Sequence, residues 1–279
     1  MKTLYAYIRM MRPLNLFQGA IALLVTGTLM NQFPDWTVLL LAVGIVWSYT
    51  GAGNALNDYY DAEIDKINRP GRPIPQGLVS KKGALLFSII LFVIGTLGAI
   101  PLLTPELVII LVIALFSLTT YSMFFKMRPL LGNAVVSFIL GMTFLFAASI
   151  YGDIRKGVPP FFLAFGFNLI REIVKDMQDI EGDSALGART IPLKYGIDIA
   201  KRVVYLFTFA LMLGSLVPYM LNIYGKYYLL TLIIAVEIPL IYFLYSLHDD
   251  NSAKNCARLS SILKGDIFFG LLAIFLGRF

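Results

Sequence analysis

Residues 107–118 read L-V-I-I-L-V-I-A-L-F-S-L, with no charge among them. The apolar character extends over 105–125, which meets the roughly 20 predominantly apolar residues a helix needs to cross a bilayer. Eight more segments share it: 14–30, 37–57, 83–103, 131–150, 158–175, 203–222, 227–247 and 260–276. Membrane-spanning strands would alternate apolar and polar residues about every second position, and no such alternation is present. The expected fold is therefore all-α: a polytopic membrane protein with a bundle of about nine transmembrane helices, one domain over 1–279.

Composition points the same way. The chain is 58% hydrophobic and 14% charged, whereas soluble domains carry about 45–50% apolar and about 25% charged residues. A net charge of +6 reads here as basic loops, with no nucleic-acid partner expected. The single cysteine, Cys256, excludes an intramolecular disulfide and a cysteine metal cluster; the single histidine, His248, excludes a catalytic His pair. Residues 1–11 hold no small-residue cleavage site after a short apolar run, so the first apolar segment reads as a retained helix. Counted over alternate loops, 19 of the 23 Lys and Arg fall on the side of the N-terminus. By the positive-inside rule that side is cytoplasmic.

The acids are unevenly placed. Nine of 17 lie in two windows, four in 58–65 and five in 172–183. In the first, N-A-L-N-D-Y-Y-D-A-E-I-D, residues Asn54, Asn57, Asp58, Asp61 and Asp65 follow the i, i+3/i+4, i+7 spacing of one helix face. In the second, R-E-I-V-K-D-M-Q-D-I-E-G-D, the same spacing aligns Glu172, Asp176, Asp179 and Asp183. Asp61-x-x-x-Asp65 is followed by R-P-I-P from Arg72, and Asp179-x-x-x-Asp183 by R-T-I-P from Arg189, a weak internal repeat that predicts two pseudo-repeated halves with a site between them.

Stacked carboxylates repel one another on a helix. One such window alone reads as a solvated helix end; two matched windows favour a cation. Oxygen donors without His or Cys suit a hard divalent ion, Mg²⁺ before Ca²⁺. Magnesium keeps few protein ligands and completes its shell with water and substrate phosphates, so facing stripes suggest a bridged diphosphate. Arg69, Arg72, Arg189 and Lys194 lie downstream of the windows, and Lys126 and Arg128 follow the fourth segment. Arginine clamps phosphate bidentately and lysine supplies a point charge, although positive-inside loops carry such residues anyway. Glu237, inside an apolar segment, is a functional candidate or a neutral hydrogen-bonded group. His248, in H-D-D-N, reads as solvated.

N-D-Y-Y-D-A-E-I-D with N-R-P-G-R-P-I-P, then D-M-Q-D-I-E-G-D, resembles the intramembrane prenyltransferases of the UbiA superfamily, across essentially the whole chain including R-P-L-N at 12–15. The resemblance implies Asp61, Asp65, Asp179, Asp183 and Lys126 as catalytic residues. It implies Asn57, Asp58, Asp61, Asp65, Asp176, Asp179 and Asp183 around Mg²⁺, and Asn15, Asn57, Arg72, Tyr121 and Lys126 around substrate, to which the position of the basic residues beside the windows and the fourth segment adds Arg128, Arg189 and Lys194. Within the superfamily the wording is most similar to the archaeal digeranylgeranylglyceryl phosphate synthases. That similarity implies transfer from an isoprenyl diphosphate donor, geranylgeranyl diphosphate, to a lipid-phosphate acceptor, geranylgeranylglyceryl phosphate, in a cell membrane whose lipids surround the bundle. An aromatic acceptor is the alternative within the class. A divalent-cation transporter would place its acids mid-helix, and a phospholipid alcohol-phosphatidyltransferase would carry a different Asp-rich motif.

Overall fold

The computed structural model describes residues 2–30, 35–125, 128–185 and 187–279. Among them no strand occurs; fourteen α-helices do. They are α1 (Lys2–Met10), α2 (Pro13–Thr28), α3 (Trp36–Tyr60), α4 (Ile64–Asn68), α5 (Lys81–Ala99), α6 (Pro105–Thr120) and α7 (Leu131–Ile150), followed by α8 (Val158–Gln178), α9 (Ile180–Ala185), α10 (Ile191–Tyr195), α11 (Ile197–Met220), α12 (Lys226–Leu232), α13 (Ile238–Asp249) and α14 (Ala253–Leu276). A π turn over Ile233–Glu237 joins α12 to α13 as one rod, and another, Tyr121–Phe125, extends α6.

Each expected apolar segment is a helix. Eight, between 20 and 25 residues, are long and apolar enough to span. The other, α2, has 16 residues, about 24 Å at 1.5 Å per residue, short of a hydrocarbon core of about 30 Å. Several helices run past the apolar segments into charged sequence. The last begins at Ala253 and not at 260, because Ser252 caps it by accepting the Asn255 N–H. Lys201, Arg202, Lys254 and Arg258, counted as loop charges in the orientation argument, accordingly sit inside α11 and α14; Arg171, Lys175 and Lys264, counted in the same way, sit inside α8 and α14. A helix ends where its backbone donors lose partners, not where hydropathy falls.

The helices form a ring around an internal cavity. α3 packs on α5 and α2, α6 on α7, α7 on α8, and α8 on α11 and α14; α14 then returns to α2. At the α3–α5 contact Gly95 lies against Ser48 and Tyr49 with no room for a Cβ, the small-residue approach membrane helices use. One apolar cluster gathers residues of α2, α3, α6 and α7, another those of α8 and α11–α14. Exposed apolar side chains cover the outer faces, Ile89, Val93 and Leu97 on α5 and Leu206, Phe209 and Leu213 on α11 among them, as a lipid-facing surface requires.

Candidate active site

Both acidic windows break where the first motif aspartate falls. α3 stops at Tyr60 and α4 starts at Ile64; α8 stops at Gln178 and α9 starts at Ile180. The expected continuous helix face is therefore two short segments in each window. The i→i+4 ladder nevertheless carries on, with the Asp61 N–H donating to the Asn57 carbonyl (2.8 Å), Asp65 to Asp61 (2.8 Å), Asp179 to Lys175 (2.9 Å) and Asp183 to Asp179 (3.0 Å). The carboxylates thus keep their common side.

Tertiary packing brings the windows together. α4 packs on α9, and an added Cβ at Gly182 would run into the Asn68 amide. The glycine of D-I-E-G-D is what allows this approach. Arg69 Nη2 donates to Asp179 Oδ2 at 2.6 Å, an ion pair across the two windows. Gly182→Ala should force α9 from α4, costing about 1–3 kcal/mol as overpacking does. A lower midpoint of thermal unfolding for the solubilised variant checks it.

Arg72 is the hub of the first window. Its Nη1 lies 2.5 Å from Asp65 Oδ2, 3.1 Å from Asp58 Oδ1 and 3.9 Å from Asp61 Oδ2. Burial opposes its charge, but Asp58, Asp65 and Asp61 outweigh that and hold the guanidinium more firmly protonated than usual. Arg12 reaches Asp58 from the other side at 2.9 Å. It stands between α1 and α2 with φ 55° and ψ 76°, a left-handed backbone uncommon for a non-glycine residue. That turn lets α2 start at Pro13 with Arg12 facing α3. Asn57 Nδ2 donates to Asp61 Oδ2 (2.7 Å), and Asn133 Nδ2 of α7 to Asp176 Oδ2 (2.9 Å).

Below the joined windows lies a cavity of about 480 Å³, within the usual range for small-ligand sites. Asn15, Asn57, Asp61, Asp65, Arg72, Tyr121, Asp176, Asp179 and Asp183 all line it. Its deeper wall is largely apolar, including Ile110, Phe144, Phe167, Leu211 and Leu240, and ends near Glu237. Glu237 accepts from Ser215 Oγ at 2.8 Å, the hydrogen-bonded alternative of the sequence reading.

Four expected site residues lie elsewhere. Asp58 is buried but does not line the cavity; it holds Arg12 and Arg72. Arg128, Arg189 and Lys194 are exposed and off the cavity, Lys194 lying over the Tyr195 ring. The R-x-I-P repeat therefore does not give two equivalent arginines: Arg69, upstream of Arg72, is the one that reaches the second window. Lys126 lies outside the described residues. Sequence reasoning passed over Arg12, Arg171, Lys175 and Lys264 as cavity residues; charges within helices bordered by apolar sequence were the available signal.

The donor set suits a hard cation. It is all oxygen, and the Asn57 side-chain amide oxygen, Oδ1, is buried without a hydrogen-bond partner. Among the described residues no three carboxylate, His or Cys side chains already converge on one point, since Arg72 and Arg69 engage Asp65 and Asp179. A few ligands per ion completed by phosphate oxygens is the arrangement magnesium accepts.

The sequence profile of the UbiA prenyltransferase family matches residues 20–272. The chain belongs to this family. It is an intramembrane prenyltransferase with the helical fold of its relatives. It is 38% identical to the digeranylgeranylglyceryl phosphate synthase of Methanothermobacter thermautotrophicus over 92% of this chain and 90% of that one. It is also 38% identical to that of Methanococcoides burtonii over 97% and 99%. A solved structure of a digeranylgeranylglyceryl phosphate synthase superposes with a TM-score of 0.78 at 29% identity, covering 100% of this chain and 99% of that one. A UbiA homolog from Archaeoglobus fulgidus bound to GPP and Mg²⁺ shares the fold, with a TM-score of 0.66 at 15% identity over 96% and 99%. Family membership sets aside the cation transporter and the phosphatidyltransferase.

Proposed function

We propose that this chain transfers a geranylgeranyl group from geranylgeranyl diphosphate to the free hydroxyl of geranylgeranylglyceryl phosphate, making the second ether bond of an archaeal membrane lipid. The observation that carries this reading is the junction of two acidic windows over a long, mainly apolar cavity, in a chain 38% identical along its length to synthases of that name. In the reaction the bond from C1 to the diphosphate oxygen breaks, the acceptor oxygen bonds C1, the hydroxyl proton is released, and diphosphate leaves.

Asn57, Asp61, Asp65, Asp176, Asp179 and Asp183 would hold magnesium, which when bound neutralises the diphosphate as a leaving group. Arg72 is placed to hydrogen-bond charge building on the diphosphate oxygens. Asn15 and Tyr121 offer polar contacts on the cavity wall. The apolar wall shields an allylic cation from water and receives the prenyl tail, each buried CH₂ contributing about 0.8 kcal/mol. The positive-inside count supports a site on the cytoplasmic side of the cell membrane.

Labelled geranylgeranyl diphosphate offered with geranylgeranylglyceryl phosphate in detergent should give the diether, and EDTA should lower the rate by a factor of about 10³ or more, because the metal supplies several kcal/mol of charge stabilisation. Excess Mg²⁺ should restore it. Transfer to an aromatic acid instead of the glyceryl lipid would overturn the acceptor assignment.

A further inference from the structure

The same cavity carries a group of basic residues, two at the start of the second acidic window and two on elements that carry neither window. Arg171 and Lys175 belong to α8 and Lys264 to α14, and Arg12 precedes α2. α14 packs on both α8 and α2, and Gln18 Nε2 of α2 donates to the Lys264 carbonyl at 3.2 Å. The three helices are thus tied together at this level.

Charge here is not balanced. Glu172 accepts from Arg171 Nη1 at 2.9 Å and from Lys175 Nζ at 2.7 and 2.9 Å. Its two oxygens are therefore taken by two cations. Arg171 Nε is buried and donates to nothing. Lys264 has no ion pair and its ammonium no hydrogen bond among the described residues, while Arg171, Arg12 and Glu172 act on it electrostatically. Glu172 thus engages Arg171 and Lys175, Asp176 lies beside Lys175 on the same helix, and one donor on each of α8 and α14, Arg171 Nε and the Lys264 ammonium, is left over. Unpaired cationic donors inside a membrane bundle are costly, and an anion with several acceptor oxygens would satisfy both.

The diphosphate does not account for them, because its expected partners, the aspartates and Arg72, lie at the window junction. The leftover donors open on the cavity whose far wall is apolar, so a matching ligand joins one compact anion to a long hydrocarbon chain. We propose that Lys264 and the free Nε of Arg171 form a subsite for the phosphate monoester of a lipid acceptor, distinct from the diphosphate site. This rests on the reaction proposed above, where the acceptor carries such a phosphate.

The test uses the full chain in detergent, without metal or donor. Binding of a long-chain alkylglycerol phosphate and of the same alkylglycerol without phosphate is measured for the wild type, Lys264→Met and Lys264→Arg. Losing one charge-assisted hydrogen bond should weaken the phosphate ligand about tenfold to hundredfold in Lys264→Met. Lys264→Arg should recover part of this, and the unphosphorylated alcohol should bind all three proteins alike. In turnover, KM for the phosphorylated acceptor should rise by the same factor while KM for geranylgeranyl diphosphate stays in place. Equal phosphate binding by wild type and Lys264→Met, or a rise confined to the KM of the diphosphate donor, would overturn the subsite. A wild type that transfers normally beside an unaffected Lys264→Met removes the subsite and leaves the reaction standing. A wild type that binds the phosphate through Lys264 yet never alkylates it does the reverse. Should Lys264→Met not fold, Lys264→Gln is read by the same criteria.

Discussion

Replacing Asp61 or Asp179 by alanine is expected to lower prenyl transfer about a thousandfold or more while the protein still inserts and purifies as a folded species. Each aspartate opens its motif at a helix break, on opposite sides of the junction. Each removes a carboxylate from the set that would hold magnesium, and metal-based charge stabilisation of this kind contributes several kcal/mol to a transition state. Neither lies in an apolar span interior, so the ring of helices keeps its packing. The variants differ in their side effects. Asp61→Ala removes the acceptor of the Asn57 amide, whereas Asp179→Ala frees Arg69 from the bond that joins the windows. Steady-state transfer at saturating donor, with gel filtration of the solubilised protein as the folding control, decides the matter. Turnover within about tenfold of wild type in either variant would show that the carboxylates at the junction do not carry the reaction.

Arg72→Ala should be the most destabilising single change at the site, and magnesium should partly repair it. Asp58, Asp61 and Asp65 are only 3–4% exposed, and Arg72 is within 4.0 Å of all three. Removing one partner of a buried ion pair costs about 3–5 kcal/mol, because the remaining charge stays buried and uncompensated. Arg12 still covers Asp58 and the Asn57 amide still donates to Asp61, so the loss falls mainly on Asp65, the carboxylate Arg72 approaches most closely. A divalent cation binding there stabilises the folded state by mass action, and it gains most where the guanidinium no longer competes. Thermal unfolding with and without Mg²⁺ should therefore show a lower midpoint for Arg72→Ala and a larger magnesium-induced rise than in wild type. Arg72→Lys should fall between, since one ammonium cannot span three carboxylates as a fork does. An equal magnesium shift in both proteins would place the cation away from this window.

Apolar runs such as 107–118 determine by themselves that the chain spans a membrane as helices, because a backbone in hydrocarbon has to satisfy its hydrogen bonds within the segment. The spacing of Asn57, Asp61 and Asp65, and of Asp179 and Asp183, also shows that each set shares a side and that the donors are hard oxygens. Both are local properties, carried by a period of 3.6 residues and by side-chain chemistry. Which sides meet is another matter. A helical repeat gives positions relative to the helix's own axis, while rotation and neighbours come from packing between segments far apart in sequence. The joining of windows 118 residues apart depends on Gly182 seating against Asn68. The similar R-P-I-P and R-T-I-P strings end differently, Arg72 among three aspartates and Arg189 at the surface. Lys264 and Arg171 fall inside the apolar segments 260–276 and 158–175, yet sequence alone counts them with the flanking loop charges, because it does not show which way they face. Only the return of α14 onto α2 and α8 turns them inward.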